Sequence, residues 1–439
     1  MNFKASSLFA FRMLFPRTGK KSNARRSLVG AFLCIAISLV PLVMVLTVSN
    51  GMIKGMTDRM IGLSSSHLCC FLHPDIDQAQ SSDSLVELSR SLSEVEGVIN
   101  VYPEISSVAL AAGKAGRSGA QVRGVTTDIF TKNPSFRDFF ECEGTPDLSK
   151  PNNAVIGKKL ASDLNIKPGD DIRLISTRQL TSGKVIPKIT KFKVTATVSS
   201  GYQELDSLWF FIPLEKAYSI LPLRSSQIMI GIETGDAFSY GLEKTLSLVE
   251  RRVPNFTRVY RWKELNTVQY ENFSSTQMML LFIMLLIVLV ASVNISSALV
   301  MLVMERRKEI AILKSLGATS NGITVAFLIT GLVTGFLGVF VGIPVGLLAA
   351  VNFDYIISFF EKVFNFLIEF VYLLLGMGTY DGQFILLDPA FYLQKIPLSI
   401  PLAELIIIGT GTLILSLVVS ALPSIKAGKE KPNETLRKV

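Results

Sequence analysis

The sequence is poor in the side chains that hold metals or react covalently. Its 439 residues include four cysteines and two histidines. His67 and His73 lie beside Cys69 and Cys70, but this order lacks the ligand spacing of standard zinc sites, so we expect no metal site. Cys142 is distant in sequence. Two alternatives stay open: a disulfide between Cys142 and one of the adjacent pair, or a reduced structural role for all three.

Recognisable catalytic motifs are also absent. The sequence contains no GxxxxGK(S/T) phosphate-binding loop, no GxSxG and no HExxH. The chain is therefore predicted not to be an enzyme and to bind no cofactor directly. If ATP and Mg²⁺ are used, a separate subunit supplies the site that binds and hydrolyses them.

Charged side chains are nearly absent from four long stretches, with Glu404 as an exception near the start of the last one. The stretches are 28–48, 278–303, 323–351 and 402–422. Each has at least about 20 residues, which is enough to cross a bilayer as a helix. The first is too long for the apolar part of a signal peptide and has no cleavage site, so we expect it to remain.

Positive charge lies beside these stretches. Residues 1–27 contain lysines and arginines and no acidic residue, and the tail, 423–439, carries Lys426, Lys429, Lys431, Arg437 and Lys438. Because basic loops stay in the cytoplasm, both termini and the loop 304–322 are predicted to lie there, with 49–277 and 352–401 outside. The net charge of +9 thus reflects topology, and we expect no nucleic-acid partner.

The segment 49–277 has no run long enough to cross a membrane, and it is large enough to form its own core. Helical patterns occur at Ser84–Val95, Lys158–Leu164 and Ala237–Arg251. Seven segments have the alternation or apolar runs of strands: Val98–Val101, Val108–Ala112, Gln121–Val125, Asp171–Ile175, Lys191–Val198, Leu208–Ile212 and Gln227–Ile232. The fold class predicted is a membrane protein with four transmembrane helices and a large α+β extracytoplasmic domain.

The segment 352–401 contains a further apolar stretch, Tyr355–Leu375. This stretch includes Glu361, Lys362 and Glu369, each costly at bilayer depth. A fifth span would also place the basic tail outside. We therefore predict an amphipathic helix at the outer surface of the membrane.

The loop between the second and third stretches is short and basic. Its apolar residues Ile310, Leu313 and Leu316 recur at helical spacing, and Gly317 follows them. This pattern predicts a short amphipathic helix that ends at Gly317. Such a helix can dock in a groove of a cytosolic partner. The alternative is a solvated loop that only sets topology.

The same loop, ERRKEIAILKSLGAT, resembles the conserved cytoplasmic loop of the FtsX-like permease superfamily of ABC transporters. With its flanks, VASVNISSALVMLVMERRKEIAILKSLGATSNGI, it is similar to lipoprotein-releasing (Lol) permease subunits. The resemblance implies a coupling helix that sits on the ATPase subunit. Its expected contact residues are Glu305, Arg306, Arg307, Lys308, Glu309, Ile310, Leu313, Lys314, Leu316 and Gly317.

The outer segment also resembles the periplasmic core domain of Lol permeases, in VINVYPEI, QVRGV and NNAVIGKKLASDLNIKPGDDIRLIS. Residues Arg178–Lys193 lie where one class of these permeases carries a hairpin, the hook, that recruits a soluble lipoprotein chaperone. The resemblance implies a hook tip at Val185, Ile186 and Pro187, and proline suits a projecting loop because it cannot join a central strand. The alternative is an ordinary hairpin turn.

The third stretch carries glycines at small-xxx-small spacing. They form two sets, Gly331 with Gly335, and Gly338 with Gly342 and Gly346. Such spacing lets helices approach closely. We favour packing within the bundle or across a dimer over the alternative, a seam that opens as a lipid path.

Taken with the resemblance, these features imply a permease subunit in a bacterial inner membrane. It would extract lipoproteins with a separate pair of ATPase subunits and a second permease copy or a paralogue. Cargo would then pass to a periplasmic chaperone. The alternative is an FtsX-like permease that transmits ATPase motion to a periplasmic partner, or takes part in efflux, without lipoprotein cargo.

Overall fold

The computed structural model describes residues 3–14, 23–179, 185–239, 241–375, 384–386, 393 and 396–430. These divide into two compact units. The helical unit comprises Met1–Gly51, Phe273–Leu386 and Leu398–Val439, and the sheet unit comprises Met52–Asn272 and Leu387–Pro397.

The α-helices of the described residues follow in chain order. They are α1 Phe3–Leu14, α2 Asn23–Met60, α3 Ser82–Ser93, α4 Ile129–Lys132, α5 Pro134–Phe139, α6 Lys158–Asp163, α7 Gln203–Asp206, α8 Leu214–Ile220, α9 Gly241–Arg252, α10 Trp262–Leu265, α11 Thr267–Glu305, α12 Arg307–Ser315, α13 Ser320–Val351, α14 Phe353–Leu374 and α15 Leu402–Lys429.

The β-strands of the described residues all lie in the sheet unit. They are β1 Leu68–Leu72, β2 Val98–Ala112, β3 Arg117–Val125, β4 Glu141–Gly144, β5 Asn153–Gly157, β6 Asp171–Gln179, β7 Val185–Ser199, β8 Trp209–Pro213, β9 Gln227–Thr234 and β10 Arg258–Arg261.

Four of the described helices are long and apolar enough to cross a membrane: α2, α11, α13 and α15. The prediction of four membrane helices beside a large extracytoplasmic domain is confirmed. Each of the four stretches lies inside one of these helices, and each helix extends beyond its stretch. Charged residues end the part of a helix that suits lipid, whereas the backbone hydrogen bonds continue past them.

The sheet is mixed. Its strand order is β10-β1-β9-β2-β3-β8-β5-β7-β4, with β6 paired to both β2 and β7. The pairs β3–β8 and β5–β7 are parallel, and the other ladders are antiparallel. Through β6, the pairings of β2, β3, β8, β5 and β7 close into a ring.

The strands of this ring bury side chains on both faces. All five residues of β8 are buried. Phe210 and Ile212 join the larger core, which also contains Leu85 and Leu92 of α3. The alternate residues Trp209 and Phe211 join a second, aromatic-rich core. Two cores on opposite faces follow from the alternation of side chains along a strand.

The disulfide alternative for Cys142 is wrong. Cys69 and Cys70 lie buried in β1, Cys142 is exposed on β4, and none of the three forms a disulfide. Strand β1 pairs with β9 and β10 rather than with β4. Burial raises the pKa of the Cys70 thiol to about 12 and also raises the pKa of Cys69, so both stay protonated at neutral pH.

Helix α14 is not among the four candidate spans, and none of its residues, all of which the structure describes, is buried. Its polar residues Asp354, Ser358, Glu361, Asn365 and Glu369 recur at helical spacing on one side. Large apolar side chains occupy the other side. On the polar side, Asn365 exchanges two hydrogen bonds with the backbone of Phe384 (3.1 and 2.8 Å), and Glu361 accepts one from Leu386 N at 2.9 Å.

We predict that α14 lies parallel to the membrane surface with its apolar side in lipid. Tryptophans introduced as F359W and F370W, eleven positions apart, would then reach the same depth. In a spanning helix they would differ by about 16 Å along the axis. Quenching by lipids brominated at defined acyl positions, in proteoliposomes, measures this depth. The native Trp209 and Trp262 contribute little quenching, since each is 2% exposed.

S358W, on the polar side of the same helix, is the matched control and should escape quenching. Different depth profiles for F359W and F370W would contradict the surface orientation and indicate a spanning helix. Equal absence of quenching would instead indicate that α14 packs on protein.

Candidate functional site

Helix α12 is held in a tight hairpin between α11 and α13. It ends in a Schellman motif, in which Ala318 N donates to Leu313 O (2.9 Å) and Gly317 N donates to Lys314 O (3.0 Å). Gly317 has φ +94°, a conformation that glycine adopts without steric cost. Thr319 then caps α13 by accepting from Gly322 N at 3.2 Å. The sequence ends α12 and starts α13 within a few residues.

One side of α12 packs into the helical unit. Ile310 and Ala311 are fully buried, and Ile310 belongs to a core that includes Leu302 and Phe327. Lys314 Nζ donates to the carbonyls of Gly428 (2.5 Å) and Glu430 (2.7 Å), at the C-terminal end of α15. A cation at this position satisfies carbonyls that the helix leaves unpaired. Arg307 also forms an ion pair with Glu430.

The opposite side of α12 is exposed. Lys308, Ile312 and Leu316 are four residues apart and therefore share one face. Ile312 is 51% exposed and Leu316 is 80% exposed. We call these three residues the α12 face. Glu305 and Glu309 are exposed beside it, and Glu309 pairs with Arg306.

This arrangement differs from the apolar stripe expected from the sequence. Ile310 faces the protein interior, Leu313 is half-buried, and only Leu316 of that set is exposed. Ile312 was missed. The i, i+4 spacing of Lys308, Ile312 and Leu316 was available as a signal, but α12 has apolar residues on both sides, so spacing alone does not tell which side is covered.

The glycines of α13 lie where two other helices approach it closely. The second set faces α2: a Cβ atom added at Gly338 would lie 2.6 Å from Ile35 Cγ2, at Gly342 2.9 Å from Leu39 Cβ, and at Gly346 2.7 Å from Val43 Cβ. Such distances leave no room for a side chain. The matching four-residue spacing on α2 produces a continuous seam between the two helices.

The first set faces α15. An added Cβ would lie 2.1 Å from Ser420 Oγ at Gly331 and 2.5 Å from Ser416 Oγ at Gly335. Ser416 Oγ donates to Gly331 O across the contact at 2.9 Å. Small residues on both helices thus allow an interhelical hydrogen bond. The two glycine sets serve two different neighbours, and both make packing contacts.

The hook candidates lie in a β6–β7 hairpin that is present in the sheet unit. Gln179 pairs with Val185, Arg178 with Ile186, and Thr177 with Pro187. The three candidates therefore begin the returning strand rather than form the tip. The connecting residues 180–184 lie outside the described part of the chain. Ile186 is 45% exposed.

Models of known protein families match both units of the structure. A family model for the FtsX-like permease C-terminal domain matches residues 281–432, and one for the MacB-like periplasmic core domain matches residues 28–239. The chain therefore combines an FtsX-like permease C-terminal domain with a MacB-like periplasmic core domain.

Three relatives indicate which permeases this chain resembles. The chain is 25% identical over 406 residues to the lipoprotein-releasing system transmembrane protein LolC of Neisseria meningitidis, covering 92% of each chain. It is 24% identical to LolC of Xylella fastidiosa (93% of each chain) and 24% identical to LolE of Haemophilus influenzae (95% of this chain, 96% of that one). These relatives show that the chain is similar to permease subunits of the LolC and LolE type over more than nine-tenths of its length.

Replacing a seam glycine should destabilise the helical unit. We expect G342L to lower the free energy of unfolding by about 1–3 kcal/mol, because its side chain meets Leu39 and the Ala36 backbone. G411L on α15 is the matched control, since nothing lies within 4 Å of an added Cβ there. Thermal unfolding of the detergent-purified chain measures both. Equal midpoints for the two variants would contradict a tight α2–α13 seam.

Proposed function

We propose that this chain is a permease subunit of an ABC transporter that extracts lipoproteins from the inner membrane and passes them to a periplasmic chaperone. The observation that carries the proposal is the exposed α12 face on a helix fixed to the rest of the helical unit. Similarity to lipoprotein-releasing transmembrane proteins over more than nine-tenths of the chain supports the choice of cargo.

In this proposal the α12 face docks in a groove of a cytosolic ATPase subunit. Ile312 and Leu316 would be the apolar anchors, with Lys308 and Glu305 at the rim. The ATPase binds ATP and Mg²⁺ and hydrolyses the ATP. Because Ile310 is buried and Lys314 is bonded to the end of α15, a push on α12 would act directly on α13 and α15.

An apolar crevice between α2 and α11 supports a lipid-anchored cargo. Pro41, Leu42, Val45 and Leu46 line one side, and Leu280, Ile283, Met284 and Ile287 line the other, around about 160 Å³. Both walls are apolar, so an acyl chain that enters the crevice from the lipid keeps apolar surroundings. The crevice is suited to part of one acyl chain.

The remaining partners follow the same proposal. A second copy or a paralogue would complete the membrane pore, and a soluble chaperone would accept cargo at the β6–β7 hairpin. The chain would lie in a bacterial inner membrane with both termini in the cytoplasm. This orientation agrees with the basic residues around α12 and at the end of α15.

Charge placed on the α12 face should weaken ATPase docking. We expect I312E and L316E each to weaken association with the ATPase at least about tenfold, because docking would bury an unpaired carboxylate. Copurification of the ATPase from native membranes, quantified by mass spectrometry, measures the effect.

V108E is the matched control, since Val108 is an exposed apolar residue of the sheet unit, 81% exposed. It should copurify as much ATPase as the unmodified chain. All three variants should keep their thermal midpoint. If I312E and L316E retain a full complement of ATPase, α12 is not the docking helix.

The cargo is tested by mild-detergent purification and mass spectrometry of what stays bound. We expect a triacylated lipoprotein together with a separate ATPase, and we expect ATP to release the lipoprotein. An ATPase accompanied by a cell-wall hydrolase or regulator, without lipoprotein, would overturn extraction and favour a permease that transmits motion without cargo.

A further inference from the structure

The chain leaves α2 through an unusual turn. Residues Ile61–Ser65 form one turn of π-helix, and Ser66 follows with φ 51° and ψ −172°. Single π turns often occur at functional positions, and a serine with positive φ must be held by its surroundings. Leu63 of this turn is 1% exposed and packs in the aromatic-rich core of the sheet unit.

A buried ion pair contacts this turn. Arg123 of β3 donates from Nε and Nη2 to the two carboxylate oxygens of Glu104 of β2, at 2.7 and 2.6 Å. Its remaining terminal nitrogen, Nη1, donates to Leu63 O at 2.6 Å. The side chains are only 5% and 6% exposed. The guanidinium also lies 5.2 Å from the centre of the Phe211 ring and 5.4 Å from that of Trp209.

The residues before α11 contact the same turn. Asn266 Nδ2 donates to Ser65 Oγ at 3.2 Å, and Trp262 N donates to His67 O at 3.1 Å. The Trp262 side chain is buried with that of Ile61. We call residues 61–67 together with 262–266 the joint. Both chain connections between the sheet and the long helices α2 and α11 pass through it.

A second contact fixes the end of α2. Arg59 donates from Nε to Ser200 O at 2.6 Å, and its guanidinium lies 5.1 Å from the centre of the Phe139 ring. Arg59, at the end of α2, thus donates a hydrogen bond to the backbone of Ser200. The π turn that follows accepts a hydrogen bond from Arg123 of β3. Both contacts lie within the sheet unit.

A buried ion pair is a poor device for stability alone. Removing two charges from water costs several kcal/mol per ion, and a well-packed apolar pair often serves as well or better. The geometry of Arg123 points to a different role. One edge of its planar guanidinium, Nε and Nη2, bonds to the Glu104 carboxylate. The other terminal nitrogen, Nη1, donates to the Leu63 carbonyl of the π turn. Because the guanidinium is rigid, these bonds fix the orientation of the turn relative to Glu104.

We propose that Arg123 and Glu104 are positioning residues that hold the joint in one conformation, so that the end of α2 and the start of α11 move together with the sheet. The conformational part of this inference stands on the contacts above. Its use in transport rests on the proposed function, in which motion starting at α12 must reach the extracytoplasmic domain.

The double variant R123M/E104M separates positioning from stability. It removes both charges and keeps similar volume, so the full chain should fold with a thermal midpoint close to that of the unmodified chain. We expect backbone amides of 61–67 and 262–266 to exchange hydrogen at least about tenfold faster, measured by mass spectrometry in detergent. Amides of β3 and β8 should keep their protection.

Unchanged exchange in the joint would overturn the proposal. If the double variant fails to fold, the single variant R123K tests the proposal instead. Lysine keeps the positive charge but lacks the planar guanidinium that bonds both Glu104 oxygens and Leu63 O at once. R123K should also accelerate exchange in the joint, and protection equal to that of the unmodified chain would overturn the proposal.

Transport provides a second measurement in the reconstituted complex. We expect R123M/E104M to bind the ATPase and hydrolyse ATP normally but to release about tenfold less lipoprotein per ATP hydrolysed. Normal release would contradict the transport role. If no lipoprotein is bound even by the unmodified chain, the proposed function fails, and the exchange measurement still decides whether the pair holds the joint.

Discussion

The structure of the helical unit depends on the close approach of α13 to two other helices. Lipid is as apolar as a leucine side chain, so helices in a membrane are held together by contact and hydrogen bonds rather than by exclusion of water. Glycines supply the contact, and α13 uses one set against α2 and another against α15. The Ser416 hydroxyl then reaches Gly331 O, which larger side chains would prevent.

The short helix α12 inherits its position from this packing. It precedes α13 by a few residues, Ile310 enters the same core, and Lys314 bonds to the last carbonyls of α15. A load applied to α12 therefore reaches two packed helices at once. Closely packed interiors transmit displacement because few voids are available to absorb it. This is the physical requirement for a helix that receives motion from another subunit.

The membrane spans could be predicted from the sequence because the bilayer imposes a length and excludes charge. The side of α12 that is covered could not, because Ile310 and Ile312 are equally apolar and only the fold separates them. The sheet was predicted in part. Val98–Val101 and Val108–Ala112 belong to one strand, β2, in which Pro103 stays in register opposite Ile230. The strands β1, β4, β5 and β10 were not predicted. In β5 only Ala154–Ile156 are apolar, between Asn153 and Gly157, and a run of three residues is too short to indicate a strand.

The buried contacts of Arg123 could not be predicted from the sequence. In QVRGV it occupies an ordinary strand position, where an arginine is usually exposed, and its partner Glu104 lies nineteen residues earlier. Only the antiparallel pairing of β2 with β3 brings the two together beneath the turn that leaves α2. An apolar pair in this place would leave the Leu63 carbonyl without its charged donor and the turn free to adopt other conformations. The charged pair therefore fixes the direction of the chain at the point where the chain leaves α2. Burial of apolar side chains alone does not specify that direction.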